Sequence, residues 1–289
     1  MLRALLKTMR PRQWTKNAFL FAALVFDKQL VIPNSVLRTV AGFVLFCLVS
    51  SAVYIFNDLS DVEADRAHPE KRNRPIASGR LPVGVAWAAG IALVVLSLAF
   101  GYWLSPAFAL VVLSYFLLNL AYSRWLKHIL ILDVLVIAAG FVLRVVAGVA
   151  LIHVERFSPW LYVVMSLLSL FLGFGKRRAE LAVLADDAGS HRRVLHGYTI
   201  PLLDHYIMIV SGTTIVAYSF YTFSAPNLPA NHSMMLSIPF VVYAIFRYLY
   251  LVEVEQDGGA PEEILLSDRP FQVGLALWAV VVLVVFYLA

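Results

Sequence analysis

The chain has 289 residues; 61% are hydrophobic, 14% are charged, and the formal net charge is +5. Apolar residues gathered in long blocks exclude a soluble globular domain, and the single cysteine, Cys47, excludes an intrachain disulfide framework. No RNA- or DNA-binding motif accompanies the positive charge, so no nucleic-acid partner is expected and the basic residues read as membrane topology.

The first element is amphipathic. In MLRALLKTMRPRQWTK, Leu2, Leu5, Leu6 and Met9 fall on one helical face and Arg3, Lys7 and Arg10 on another. Cations run throughout without a clean apolar core, which predicts a segment over 1–16 lying among lipid headgroups rather than a cleaved signal peptide. About nine apolar blocks follow, near 17–32, 37–57, 83–104, 106–123, 128–151, 159–175, 201–223, 233–252 and 270–288, each close to the length of a bilayer-spanning helix. The first carries Asp27 and Lys28 at its far end.

Basic residues alternate between the connections. The N-terminal segment, the 58–82 loop, the 123–128 turn and the 176–200 loop hold most of the Lys and Arg; the intervening segments hold only Lys28, Arg38 and Arg156. Basic loops stay cytoplasmic, so the N-terminus is expected inside, the C-terminus outside, and the long polar loops together at the cytoplasmic face of an inner or plasma membrane. Membrane lipids are the expected surroundings, and homo-oligomerisation is left open.

One of those loops carries chemistry. In 57-NDLSDVEADRAHPEKRNRPIASG-79, Asn57, Asp61 and Asp65 are spaced to share a helical face with Asp58 beside it. Carboxylates this close repel unless a cation compensates them. Oxygen ligands of this kind suit magnesium, which also takes waters and substrate phosphates. Lys71, Arg72 and Arg74 follow at once; guanidinium forks and an ammonium are the usual partners of phosphate oxygens. Acids for a divalent cation followed by bases describe a site for a diphosphate ester. The alternative is a solvated loop whose acids pair with Arg66, Lys71, Arg72 and Arg74.

NDLSDVEAD resembles the first aspartate-rich motif, NDxxDxxxD, of the UbiA-like intramembrane prenyltransferases. RPRQWTKN, NDxxDxEADRxHPxKxxRPIASG, GKRRAEL and DGGAPEEILLSDR together resemble that superfamily's decaprenyl-phosphate phosphoribosyltransferase branch, over nearly the whole chain. The resemblance implies a single all-α polytopic transferase domain over 1–289, about nine transmembrane helices in a UbiA-like bundle with cytoplasmic catalytic loops, and magnesium as cofactor. It implies transfer of 5-phosphoribosyl from its 1-diphosphate to a decaprenyl-type polyprenyl phosphate for cell-wall arabinan precursors. The chain departs from typical prenyltransferases at their second aspartate motif, where it has Gly175-Lys176-Arg177-Arg178-Ala179-Glu180. Fewer acids and more bases suit a substrate with more phosphate. The alternative activity is transfer of a prenyl group from its diphosphate to an aromatic acceptor.

Asp58, Asp61 and Asp65 are therefore the expected catalytic carboxylates, and with Asn57 and Glu180 the expected metal ligands. Lys71, Arg72, Arg74, Lys176 and Arg177 are the expected phosphate contacts, and Arg12, Lys16 and Asn17 the expected partners of the lipid phosphate. Tyr122 and Lys127 fit a YSxxLK pattern of the superfamily. Arg144 lies midway along its apolar block and demands a partner; Asp133 is too far along the same helix to be it. Both either face the substrate or belong to an ion-pair network ordering the bundle. The 253–269 segment reads as a turn-rich lid or connector.

Overall fold

The computed structural model describes residues 1–154, 158–184, 193–255, 264 and 267–288. Arg156, Asp186, Asp187, Arg192 and the Asp257–Glu263 part of the proposed lid lie outside the described residues, as does the side chain of Arg193. No strand occurs among those described. The helices are α1 (Leu2–Met9), α2 (Ala22–Phe26), α3 (Pro33–Ser60), α4 (Val62–Ala67), α5 (Val83–Leu104), α6 (Pro106–Arg124), α7 (Leu132–Val149), α8 (Pro159–Leu184), α9 (Ile200–Ser224), α10 (Ile238–Glu253) and α11 (Arg269–Tyr287).

Among the described residues, eight helices are long and apolar enough to cross a membrane: α3, α5 to α9, α10 with the turn before it, and α11. The chain is an integral membrane protein. Proline sets several helix starts, because it lacks only an N–H that the first turn leaves unbonded anyway: α3, α9, α10 and α11 each hold one at their first or second position. Hydroxyls inside the spans turn back on the preceding turn. Thr39, Ser51, Ser97, Ser169 and Thr214 each donate to the carbonyl four residues earlier, which satisfies them where water is absent.

The first apolar block departs from the expected span. Residues Pro11–Phe21 form a 3-10 helix of eleven residues, continued by the five of α2. A 3-10 helix rises about 2.0 Å per residue and an α-helix about 1.5 Å, so this short stretch still covers roughly 30 Å, the thickness of a hydrocarbon core. It runs antiparallel to α3: Trp14 meets Ser51, Asn17 meets Ser50 and Cys47, and Phe21 meets Phe43.

The chain divides into two compact units, 1–24 with 29–124 and 143–153, and 25–28 with 125–142 and 154–289. The core of the first is built from Leu20, Phe46, Val49, Phe108, Val112 and Leu151, all buried. Arg38 closes one end of this unit by donating to the carbonyls of Leu104 and Leu151, where helix C-termini leave acceptors exposed. The second unit packs Val134, Phe171, Leu203, Ile207, Ile245 and Tyr248 into one cluster, and Met234, Val282, Val285 and Phe286 into another.

Arg144 belongs to the first unit and is only 7% exposed. Its Nε donates to Asn17 Oδ1 at 2.8 Å and its Nη2 to the Tyr115 hydroxyl at 3.0 Å. The guanidinium also lies over the rings of Tyr115 and Phe46, 4.8 and 5.5 Å from their centroids. Asn17 is fully buried and gives its amide hydrogens to Cys47 Sγ and Ser50 Oγ. Asn17 ties the 3-10 segment to α3 and α7, and Arg144 joins it in a network within the first unit.

Candidate active site

The acidic motif sits where α3 ends. Asp61 is the junction, with φ −98° and ψ 6°, and α4 resumes at Val62. This break changes the expected alignment. Asp58 and Asp65 are buried, each 3% exposed, whereas Asp61 points to solvent. The pair that converges is Asp58 with Asp65, not Asn57, Asp61 and Asp65 along one face.

Arg74 joins that pair. Its Nη1 lies 2.7 Å from Asp65 Oδ2 and 3.2 Å from Asp58 Oδ1. Arg10, from the turn after α1, adds a second guanidinium to Asp58 Oδ1 at 2.7 Å. Asn57 Oδ1 accepts the Ser123 hydroxyl at 2.5 Å, tying α3 to α6. Among the described residues, no three His, Cys, Asp or Glu side chains are grouped to hold a metal ion on their own. The reason is physical: guanidinium groups take the buried carboxylate oxygens, and the helix break turns Asp61 away.

The basic loop is arranged differently. Lys71 and Arg72 are exposed, and no side-chain partner engages them among the described residues. They lie on a 3-10 turn, Lys71–Asn73, started by His68, whose Nδ1 accepts the backbone N–H groups of Glu70 and Lys71 at 3.2 and 3.3 Å. Arg66 pairs with Glu63 across one turn, and both are exposed. Arg66 and Arg74 pair with acids, whereas Lys71 and Arg72 are exposed. Arg12 is likewise exposed, and Lys16 and Tyr122 are half-buried.

The second unit has its own polar end. Asp133 is fully buried, and Arg177, 1% exposed, donates to its Oδ2 at 2.6 Å. Tyr198 donates to Asp133 Oδ1 at 2.8 Å and accepts the Ile131 N–H at 2.9 Å. Burial, and then the Asp133 carboxylate, push the Tyr198 phenol above the usual tyrosine range, so it stays a donor. Ile131 has φ +69°, a conformation that β-branched residues rarely adopt. Glu180 accepts from Arg177 at 2.5 Å. Arg177 thus turns inward to Asp133, and Glu180 is held by it. Lys176 and Lys127 are half-buried. Arg178 pairs with Asp204, and Arg247 with Asp268.

The sequence reading missed Arg10, Ser123 and Tyr198. One local signal existed for the first: Arg10 precedes Pro11, and a residue before proline is pushed out of the helical conformation.

Residues 18–265 match the UbiA prenyltransferase family. The chain belongs to that family. Its relatives include the decaprenyl-phosphate phosphoribosyltransferase of Mycolicibacterium smegmatis, 38% identical and covering 95% of this chain and 89% of the relative. The enzyme of the same description from Corynebacterium glutamicum is 35% identical, over 98% of this chain and 87% of the relative. Among solved structures, a UbiA homolog from Archaeoglobus fulgidus, bound to GPP and Mg2+, superposes with a TM-score of 0.74 over 98% of this chain and 99% of that one. At 21% identity that likeness establishes the family's fold here.

Proposed function

We propose that the chain transfers a 5-phosphoribosyl group from 5-phosphoribosyl 1-diphosphate to a polyprenyl phosphate of decaprenyl type and releases pyrophosphate. The observation that carries this reading is the near full-length similarity to decaprenyl-phosphate phosphoribosyltransferases. The residues add physical support. A paired acid–base cluster stands beside a free basic turn, and the second polar loop lacks the acidic motif that would serve a prenyl diphosphate.

The acceptor is already an anion, so no strong general base is required. The protein must position two anionic substrates and stabilise the charge that builds on the departing pyrophosphate. Lys71 and Arg72, exposed and unpaired among the described residues, receive the diphosphate oxygens, with Arg74 behind them. The bond from C1 of the ribose to the diphosphate oxygen breaks, and its electron pair leaves with pyrophosphate. A lipid-phosphate oxygen then forms the new bond to C1. The nearby carboxylates favour the positive character that C1 gains in between. Arg12 and Lys16 hold the lipid phosphate at the headgroup level.

The donor set suits magnesium arriving with phosphate, since that ion takes one or two carboxylates and fills its shell with phosphate oxygens and water. Asp61, exposed and with no side-chain partner among the described residues, would hold it, while the buried Asp58 and Asp65 stay with their guanidinium partners. Bound there, it would supply further neutralisation of the diphosphate. Lys and Arg cluster at 1–16, 58–82, 123–128 and 176–200, which supports a cytoplasmic N-terminus and cytoplasmic active-site loops at the cell membrane. The product fits cell-wall arabinan synthesis.

The test uses detergent-purified chain with magnesium, labelled phosphoribosyl diphosphate and a polyprenyl phosphate, scored for label entering the organic phase. Label there, lost in Asp61→Ala, is the expected result. Absence of label with several lipid phosphates, alongside turnover of a prenyl diphosphate with an aromatic acceptor, reverses donor and acceptor and sinks the proposal.

A further inference from the structure

Asp58 accepts from two guanidinium groups. Arg74 alone spans Asp58 and Asp65, so those two carboxylates already share one guanidinium. Arg10 adds a second to the same oxygen, Asp58 Oδ1, at 2.7 Å. The two partners sit at different depths: the Arg10 side chain is 34% exposed and that of Asp58 only 3%. The guanidinium also lies over the ring of Tyr54, 4.8 Å from its centroid. An anion coming from water meets Arg10 before it meets Asp58.

The backbone keeps Arg10 there at a cost. Its φ of 53° and ψ of 62° place a bulky residue in the left-handed region, between α1 and the 3-10 helix. Two ties fix the turn from either side. Ser51 Oγ lies 3.1 Å from the Met9 carbonyl, sharing its one proton between that oxygen and the Cys47 carbonyl, and Trp14 donates to Ser51 Oγ at 3.0 Å. A glycine would suit this conformation better, yet the position carries a guanidinium aimed at the acidic motif.

From this arrangement we infer that Arg10 is a diphosphate-binding residue, resting on Asp58 until phosphate oxygens replace that carboxylate as its acceptor. The inference rests on the diphosphate-donor reading above and extends it to a segment outside the NDLSDVEAD and basic-turn motifs. It also gives the amphipathic N-terminal helix a role in the site: α1 and the 3-10 helix hold Arg10 over the cluster's mouth.

The experiment measures binding of inorganic pyrophosphate with magnesium to the full-length chain in detergent, by calorimetry, together with the melting temperature. Arg10→Gly removes the guanidinium while suiting the left-handed backbone. The expected result is a Kd raised about tenfold or more, as for a lost charged hydrogen bond, measured below the melting temperatures of both chains. If Arg10 only neutralises Asp58, Arg10→Gly binds pyrophosphate as tightly as the wild-type chain does, and that result overturns the inference alone. Wild-type chain that fails to bind pyrophosphate overturns the donor reading and this inference with it. Should Arg10→Gly not fold, Arg10→Lys decides: a weakened Kd supports a guanidinium contact, and an unchanged one refutes it.

Discussion

Arg74 and Asp65 are joined by a 2.7 Å charged hydrogen bond, and the same nitrogen reaches Asp58 at 3.2 Å. One guanidinium therefore bridges two carboxylates that the fold buries on adjacent turns of α3 and α4. Removing it leaves like charges facing each other in a poorly solvated place. Arg74→Ala is expected to cost about 1.5–3 kcal/mol of stability and to cut transfer by about 100-fold or more, as for a lost electrostatic stabiliser. Magnesium should raise the melting temperature of Arg74→Ala more than that of the wild type, because the ion takes over the missing positive charge. A magnesium titration of both chains by thermal shift checks this; equal shifts would mean that the carboxylates do not compete for the cation.

Asp133 and Arg177 form the corresponding tie in the second unit, but deeper. Breaking a buried pair from one side leaves an uncompensated charge, at about 3–5 kcal/mol. Asp133→Ala is expected to lose that much and, with it, most folded protein in detergent. Tyr198→Phe should cost less, about 1–3 kcal/mol, by stranding the Ile131 N–H and one Asp133 oxygen. The double variant Asp133→Leu with Arg177→Met should melt above Asp133→Ala, since it removes both charges. Melting curves of the set decide; a double variant no better than the single would locate the loss in packing instead.

The sequence made the spans legible and their partners illegible. The block at 83–104 coincides with α5, and that at 106–123 ends one residue short of α6, because composition and length alone decide what can lie in hydrocarbon. The 17–32 block was apolar enough to be seen, but its 3-10 geometry depends on how it packs against α3. The partners of Asp133 and Arg144 lie 44 and 127 positions away, in Arg177 and Asn17, and no periodicity encodes such pairings. In the acidic motif, spacing identified the residue types, and the break at Asp61 decided which two carboxylates converge. Helical spacing assumes an unbroken helix, so that part of the expectation failed at one backbone residue.

Asp268 gives a pH-dependent prediction. Its carboxylate accepts from Arg247 through two nitrogens, at 3.2 and 2.7 Å, and caps α11 by accepting the Phe271 N–H at 2.7 Å. The Arg247 hydrogen bonds, followed by that N–H, hold its pKa below the ordinary 3.8. The unfolded chain then takes up the proton first as pH falls. The contribution to stability is complete above that ordinary value and fades as pH drops through the lower, folded-state value. Asp268→Asn should therefore melt below wild type at pH 7, and the gap should close as the solution is acidified toward pH 3. Melting temperatures across that range test the sign, and a gap that widens on acidification contradicts it.

Gly148 tests the packing of the unusual first segment. A methyl group there would collide with the backbone oxygen of Leu20, a fully buried residue of the 3-10 helix. Backbone cannot step aside as a side chain can, so α7 and the 3-10 helix must separate. Separation strains the hydrogen bond from Arg144 to Asn17, which joins the same two elements. Gly148→Ala is expected to lose about 1–3 kcal/mol, the usual cost of overpacking, even though alanine favours helices. Gly212 in α9 supplies the contrast, since nothing lies within 4 Å of the point where its methyl group would stand. There the same change should raise stability by about 0.5–1 kcal/mol through helix propensity alone. Side-by-side denaturation of Gly148→Ala and Gly212→Ala separates steric exclusion from propensity. If both variants were stabilised, the close approach of the 3-10 segment to α7 would not be a feature of the protein in solution.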